Sequence, residues 1–177
     1  TAALFPSAID TAVYRNLVQT VREHLAPLHR LLRLRKKMLG LAEMKYGDVY
    51  ASAVQAVKRT YGYDEAVALV RKAVQPLGAD YEAALAKALG ERWVDVYPNL
   101  NKNSGAYSSG VYGVHPFVKM NYDGTYSNVS TLAHELGHAM HSWFSTKTQP
   151  YPTAQYPIFL AEVASTFNDS LLIHELL

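Results

Sequence analysis

The chain has 177 residues, 49% of them apolar and 18% charged, a composition that excludes a disordered polypeptide and allows a sizeable core. Its formal net charge of +2 lacks the basic excess of dedicated nucleic-acid-binding proteins. No run of about 18 apolar residues is present that could cross a membrane. Cysteine is absent, so disulfides and thiolate metal sites are excluded. Without cysteines or a signal-peptide pattern, we expect a cytoplasmic protein.

Residues 1–90 are predicted to be a helical segment. Apolar side chains recur there at helical spacing in four stretches, over residues 9–25, 28–39, 64–74 and 80–89. Pro27 is expected to end the first helix and Asp64 to cap the third.

The second predicted helix carries a basic run: Arg30, Arg33, Arg35, Lys36 and Lys37. Such a run can bind the phosphates of a nucleic acid, but it more often forms a solvated helix face. We therefore expect no nucleic-acid partner.

Residues 91–177 differ from the first 90 in amino-acid composition. Asn, Ser and Gly are abundant up to Gly113, which is typical of loops and short strands, and His115–Tyr122 is predicted to form a strand that ends at an Asp-Gly turn. Two long helices are predicted after it, over residues 128–144 and 157–177. The predicted fold is mainly α (α+β), a single continuous domain fragment of helices with a small antiparallel β element.

The first of these long helices carries the pattern H-E-x-x-H at His134, Glu135 and His138. Helical spacing places both histidines on one face, one turn apart, where their imidazoles can bind one Zn²⁺ ion. Glu135 projects beside them and can take a proton from metal-bound water without being a ligand. Gly137 costs the helix about 1 kcal/mol relative to Ala, which suggests that another group approaches the backbone closely there.

A catalytic zinc ion needs a third protein ligand. A histidine six residues after His138 would be one solution, but Phe144 occupies that position. If the two long helices pack antiparallel, His138 lies about 9 Å before the end of its helix and Glu162 about 7.5 Å into the next one. The two side chains are then level, and we expect Glu162 to be the third ligand.

Two further residues are predicted to support the ligands. Asp169 lies near the level of His134 and on the same face as Glu162, which suits a partner that orients a ligating histidine. His141 shares the broad face of the two histidines and could support the metal ligands or contact substrate, although a structural histidine is the commoner case.

Three residues are candidates for substrate binding. Tyr107 and Tyr112 lie in the loop-rich stretch and could donate to a developing oxyanion, or only pack as aromatics. His115 opens the predicted strand and could reach substrate, although a surface histidine is the simpler interpretation. The strand itself could pair with an extended peptide through its backbone.

Four stretches resemble the oligoendopeptidase F family, whose members are relatives of thimet oligopeptidase and dipeptidyl carboxypeptidase. They are Leu132–Ser142, Phe159–Asn168, Arg92–Tyr97 and Ser104–Gly113. The resemblance implies a helical, zincin-type zinc metalloendopeptidase that cuts short peptides inside a channel.

Carried over by position, the resemblance makes His134, His138 and Glu162 the ligands of one Zn²⁺ per chain and Glu135 the base. The Ser104–Gly113 stretch and the following strand would form the edge that binds the peptide substrate. The family's Tyr and His that stabilise the transition state would lie beyond this chain.

The last predicted helix is apolar to its end, with Leu171, Leu172, Ile173, Leu176 and Leu177. We expect a missing C-terminal segment or another copy of the chain to pack on it; a small domain or oligomer that buries this surface itself is the alternative. We also expect the 177 residues alone to cleave peptides weakly. The rival hypothesis is a helical interaction module that binds zinc without catalysis.

Overall fold

The computed structural model describes residue 4, residues 8–53 and residues 59–177. The chain divides into two compact units, residues 1–58 and residues 59–177. The change of composition near Gly90 falls inside the second unit, and the division of the chain at that point stays a prediction.

Among its described residues, the first unit contains two helices, α1 (Thr11–Glu23) and α2 (Leu25–Met38), and a 3-10 turn at Tyr46–Tyr50. The prediction that Pro27 ends the first helix is wrong: Pro27 lies in the first turn of α2. A proline is tolerated there because the first N–H groups of a helix have no intrahelical acceptor.

The basic face of α2 is largely solvated, with one exception. Arg35 donates hydrogen bonds to the backbone carbonyls of Val49 and Ala51, which ties the following loop to the helix. No residue of α1 or α2 is buried.

The second unit contains four helices. They are α3 (Tyr63–Ala73), α4 (Ala79–Gly90), α5 (Tyr126–Thr148) and α6 (Ile158–Leu176). Short 3-10 turns at Gln75–Leu77 and Tyr151–Thr153 precede α4 and α6. Asp64 does not cap α3 as predicted, because Gly62 takes the N-cap position and Asp64 lies in the first turn. Its negative charge is still favourable there, near the positive end of the helix dipole.

Three short strands form one sheet in the order β1-β3-β2: β1 (Val94–Asp95), β2 (Tyr107–Ser109) and β3 (Phe117–Lys119). The predicted antiparallel pairing holds for β2 and β3, but β1 joins β3 in parallel, so the sheet is mixed. Beyond the end of β3, the N–H groups of Met120 and Tyr122 still bond to backbone carbonyls of the β1 region.

The core of the second unit lies between α3, α4, α5 and β3. Its largest fully buried apolar side chains are Trp93, Leu85, Met120, Leu132, Leu136, Met140 and Leu172. A buried amide joins three helices: Asn168 of α6 donates to the carbonyl of Ala133 in α5 (3.0 Å) and to the hydroxyl of Tyr81 in α4 (2.9 Å). No helix among the described residues has both the length and the apolar character needed to cross a lipid bilayer.

Candidate metal centre

Helices α5 and α6 pack antiparallel, as the depth argument from the sequence assumed. Asp169 contacts His134, Ser165 lies against Gly137, and Glu162 lies beside His138. The residue numbers fall along α6 as they rise along α5. This pairing brings the H-E-x-x-H face of α5 against the first half of α6.

At Gly137 the backbones of the two helices approach closely. A Cβ atom at this position would lie 2.8 Å from Cα of Ser165 and 2.9 Å from the carbonyl oxygen of Ala164. The expectation that something approaches the backbone at Gly137 is therefore confirmed, and the neighbour is the backbone of α6.

The close approach lets three potential ligand atoms converge. Oε2 of Glu162 lies 3.3 Å from Nε2 of His134 and 3.4 Å from Nε2 of His138. The ligand atoms of this group all lie within 4.8 Å of one another, so the three side chains could hold a metal ion.

Two of the three side chains also have a hydrogen-bonding partner beside them. Nδ1 of His134 is 2.9 Å from Oδ2 of Asp169, so the Nε2 atom of His134 is left to face Glu162. The hydroxyl of Ser165 donates to Oε2 of Glu162 at 2.9 Å.

Glu135 is buried beside the three potential ligands, with 7% of its surface exposed. Burial raises the pKa of its carboxyl group, and the negative charges of Glu162 and Asp169 raise it further. His134 and a hydrogen bond from the backbone N–H of Ser108, in β2, act in the opposite direction. The carboxyl group is therefore held between α5 and β2 with its affinity for a proton increased.

Burial lowers the pKa of His138, and the carboxylate of Glu162 opposes that shift. A lower pKa favours the neutral imidazole, which is the form that binds metal ions.

A cavity of about 420 Å³ opens onto this group. Along α5 it is lined by side chains one turn apart, His134, His138, Ser142 and Thr146. Tyr107 and Tyr156 also line the cavity, and the hydroxyls of Ser142 and Tyr156 are 2.7 Å apart. Ser142 and Tyr156 were not among the residues predicted from the sequence. Ser142 lies four residues after His138, and this spacing could have identified it as part of the same helix face.

The other predicted residues lie away from the cavity. His141 stacks on Tyr156 with a ring separation of 3.8 Å and contributes no atom to the potential ligand group. Tyr112 donates to the carbonyl of Gln149, and His115 stacks on Trp93. The structure thus brings together Glu135, the three proposed ligands, Asp169 and Tyr107, but not Tyr112 or His115.

Comparison with known proteins assigns the chain to one family. The family model of peptidase family M3 matches residues 1–177. The chain belongs to peptidase family M3. Among curated proteins it is similar to oligopeptidase PepF of Bacillus subtilis (strain 168), with 47% identity over 171 residues, and to group B oligopeptidase PepB of Streptococcus agalactiae, with 42% identity over 176 residues.

Solved structures agree with this assignment. A crystal structure from Chlamydophila abortus shares 46% identity and a TM-score of 0.85, covering 99% of this M3 chain and 29% of that one. Oligoendopeptidase-F from Enterococcus faecium shares 26% identity and a TM-score of 0.58, covering 99% of this chain and 23% of that one. The alignment with PepF covers 97% of this chain but only 26% of PepF. The alignment with PepB covers 99% of this chain but only 29% of PepB.

Proposed function

We propose that this chain carries the metal centre of a zinc-dependent metalloendopeptidase that hydrolyses peptide bonds of short peptides. His134, His138 and Glu162 would hold one Zn²⁺ ion, and Glu135 would be the general base. Membership of peptidase family M3 supports the reaction class.

The spacing of the ligand atoms carries the proposal. Two ligands at about 2.0–2.1 Å from a tetrahedral zinc ion are separated by the tetrahedral edge, roughly 3.3–3.4 Å. The two distances from Oε2 of Glu162 to the histidine Nε2 atoms are 3.3 and 3.4 Å. Two histidines with one glutamate is also a known ligand set of catalytic zinc, in which the fourth position stays open.

When bound, a zinc ion supplies a Lewis acid that polarises a peptide carbonyl and makes water more acidic. Glu135 accepts the proton of the attacking water and passes it to the leaving amine, since its buried carboxylate lies next to the ligands.

The peptide would lie in the cavity between α5 and β2. β2 is an edge strand of the sheet, and Tyr107 lines the cavity, so both are placed to contact an extended substrate. Substrate contacts of Tyr112 and His115, support of the ligands by His141, and a cytoplasmic location stay predictions.

The expectation of an uncovered apolar surface at the end of α6 is wrong for Leu172, which is buried in the core of the second unit. The surface of α6 that a second polypeptide would cover lies elsewhere on the helix. Phe159, Val163 and Phe167 are spaced by four residues and are 62%, 60% and 53% exposed, so they form an apolar stripe in contact with water. We propose that another segment of polypeptide, either more of the same protein or a second copy, packs on this stripe.

Two variants test the function. Glu135→Gln should keep zinc, because Glu135 is not a ligand, and should lose about 10²–10⁴ in the rate of peptide hydrolysis. His134→Ala should lose both zinc and hydrolysis. The measurements are metal analysis and cleavage of a quenched fluorescent peptide, and the protein should include the rest of the polypeptide if the 177 residues are inactive alone.

The rival hypothesis, an interaction module with a metal site, predicts a different pattern. Zinc would bind to the wild type, but no preparation would cleave peptides. Near-normal cleavage by Glu135→Gln would instead show that another group takes the proton.

A further inference from the structure

Ser165 is a fully buried residue whose hydroxyl contacts the third proposed ligand. Its exposed fraction is 0%, and its Oγ lies 2.9 Å from Oε2 of Glu162 and 3.1 Å from the backbone carbonyl oxygen of the same residue, so the carboxylate is the nearer acceptor for the hydroxyl proton. This is the same carboxylate oxygen that faces both histidines at 3.3 and 3.4 Å. One hydrogen bond therefore acts directly on the atom that would bind the metal.

The position of Ser165 is itself fixed by the crossing of α5 and α6. Its Cα lies 2.8 Å from the position that a Cβ atom on residue 137 would take. This distance is too short for two carbon atoms in contact, so only glycine at position 137 allows Ser165 to lie here. Ser165 cannot move outward into solvent without opening the crossing, because it is packed against the backbone of α5. The hydroxyl is a donor held on a rigid element.

Glu162 needs such a donor because its own side chain is not held by packing. It is 57% exposed, and a glutamate side chain in water samples many rotamers. A hydrogen bond to Oε2 selects the rotamer that directs this oxygen at the histidines. It also occupies one lone pair of the oxygen and leaves another for a metal ion.

We propose that Ser165 is a positioning residue that holds Oε2 of Glu162 in the ligating orientation. This inference rests on the proposed function, since it takes Glu162 to be a metal ligand. Ser165 would then orient Glu162 in the same way that Asp169 orients His134, so that each ligand is already positioned in the metal-free protein.

The test compares Ser165→Ala with Thr166→Ala in the 177-residue chain. Thr166 is the neighbouring residue, and its hydroxyl also donates to Glu162, but to the backbone carbonyl instead of the carboxylate. Affinities for Zn²⁺ and Co²⁺ are measured by competition with a chelator, and the visible spectrum of bound Co²⁺ reports the geometry of the ligands. Circular dichroism of the metal-free proteins checks that each variant is folded.

Ser165→Ala should bind both metals about 10–100-fold more weakly and change the Co²⁺ spectrum, whereas Thr166→Ala should match the wild type. In a Glu162→Ala background the Ser165 substitution should have no further effect, because the hydroxyl acts through the carboxylate. Ser165→Cys, which keeps the size of the side chain but donates weakly, replaces Ser165→Ala if the latter does not fold.

The outcomes separate this inference from the proposed function. If Glu162→Ala keeps wild-type metal affinity, the proposed ligand set is wrong. If Glu162→Ala loses the metal but Ser165→Ala and Ser165→Cys keep wild-type affinity and spectrum, the ligand set stands and the positioning role of Ser165 is wrong. An equal loss in the Ser165 and Thr166 variants would also overturn it, since it would indicate a general effect on α6.

Discussion

At the scale of single residues, the proposed ligands depend on neighbouring side chains that hold them in one orientation. Asp169 accepts a hydrogen bond from Nδ1 of His134, so the imidazole is held with Nε2 toward Glu162. Such partners of ligating histidines contribute to metal affinity although they never touch the metal. The carboxylate of Asp169 receives a second, longer contact from the hydroxyl of Ser130 at 3.5 Å.

Replacing Asp169 by Asn should therefore weaken zinc binding. The amide has nearly the same size but lacks the charge and can present its NH₂ group to the imidazole, so we expect about a 10–100-fold loss of affinity. Glu175→Gln is the matched control: it removes one negative charge from the same helix, at an ion pair with Lys72 on the surface. Equal affinities of the two variants for zinc, measured by chelator competition, would contradict the role of Asp169.

The positions of Glu162 and Asp169 could be predicted from the sequence. The rise per residue of a helix gives the distance of a residue along the helix axis, and the periodicity gives the face on which its side chain lies. It did not reveal Ser165 or Tyr156. Their contacts depend on how closely α5 and α6 approach, and on the path of the chain between them, and neither follows from a local pattern.

At the scale of elements, the crossing of α5 and α6 is the feature that brings the three candidate metal ligands together. The two helices meet backbone to backbone at Gly137, and the three proposed ligands lie within about one turn of that contact. A glycine within a helix is unfavourable by itself, so its presence here is explained by the packing of α6 and not by the stability of α5.

Gly137→Ala is predicted to destabilise the protein and to weaken metal binding. Helix propensity alone would favour Ala by about 1 kcal/mol, but overpacking typically costs about 1–3 kcal/mol, and the contact atoms are rigid backbone. Gly90→Ala is the control, since a Cβ at Gly90, the last residue of α4, meets no atom within 4 Å. Thermal unfolding should show a lower Tm for the first variant only; an unchanged or higher Tm with full zinc binding would contradict the steric argument.

Most helices could be predicted from apolar periodicity, while the β element could be predicted only in part. Pairing of β2 with β3 follows from the sequence neighbourhood, but β1 joins β3 from a distant segment, across the whole of β2 and two loops. β1 has only two residues, which is too short for an alternation of apolar and polar side chains that would predict its pairing with a distant strand. Pro27 was misinterpreted because a proline that ends one helix and a proline that begins the next look alike.

At the scale of the whole molecule, much apolar surface is exposed. The stripe of Phe159, Val163 and Phe167 lies on α6, the helix that also supplies Glu162. The chain spans 26% of the length of PepF and 29% of PepB. We propose that the complete site includes polypeptide packed on this stripe.

Sedimentation velocity over a range of concentrations tests that surface. The chain should self-associate, and Phe167→Glu should reduce the association because it places a charge within the stripe. Leu100→Glu is the control, since Leu100 is an even more exposed apolar residue (88%, against 53% for Phe167) on a loop outside the stripe. A monodisperse monomer of the wild type at all concentrations would contradict the prediction.

The central claim is that His134, His138 and Glu162 together hold one catalytic zinc ion. The most direct measurement is the zinc content of the purified wild type, His138→Ala and Glu162→Ala after dialysis against the same metal-free buffer. We expect one zinc ion per wild-type chain and a large loss in both variants, because a zinc site with two protein ligands is weak. Equal zinc content in all three proteins would contradict the claim.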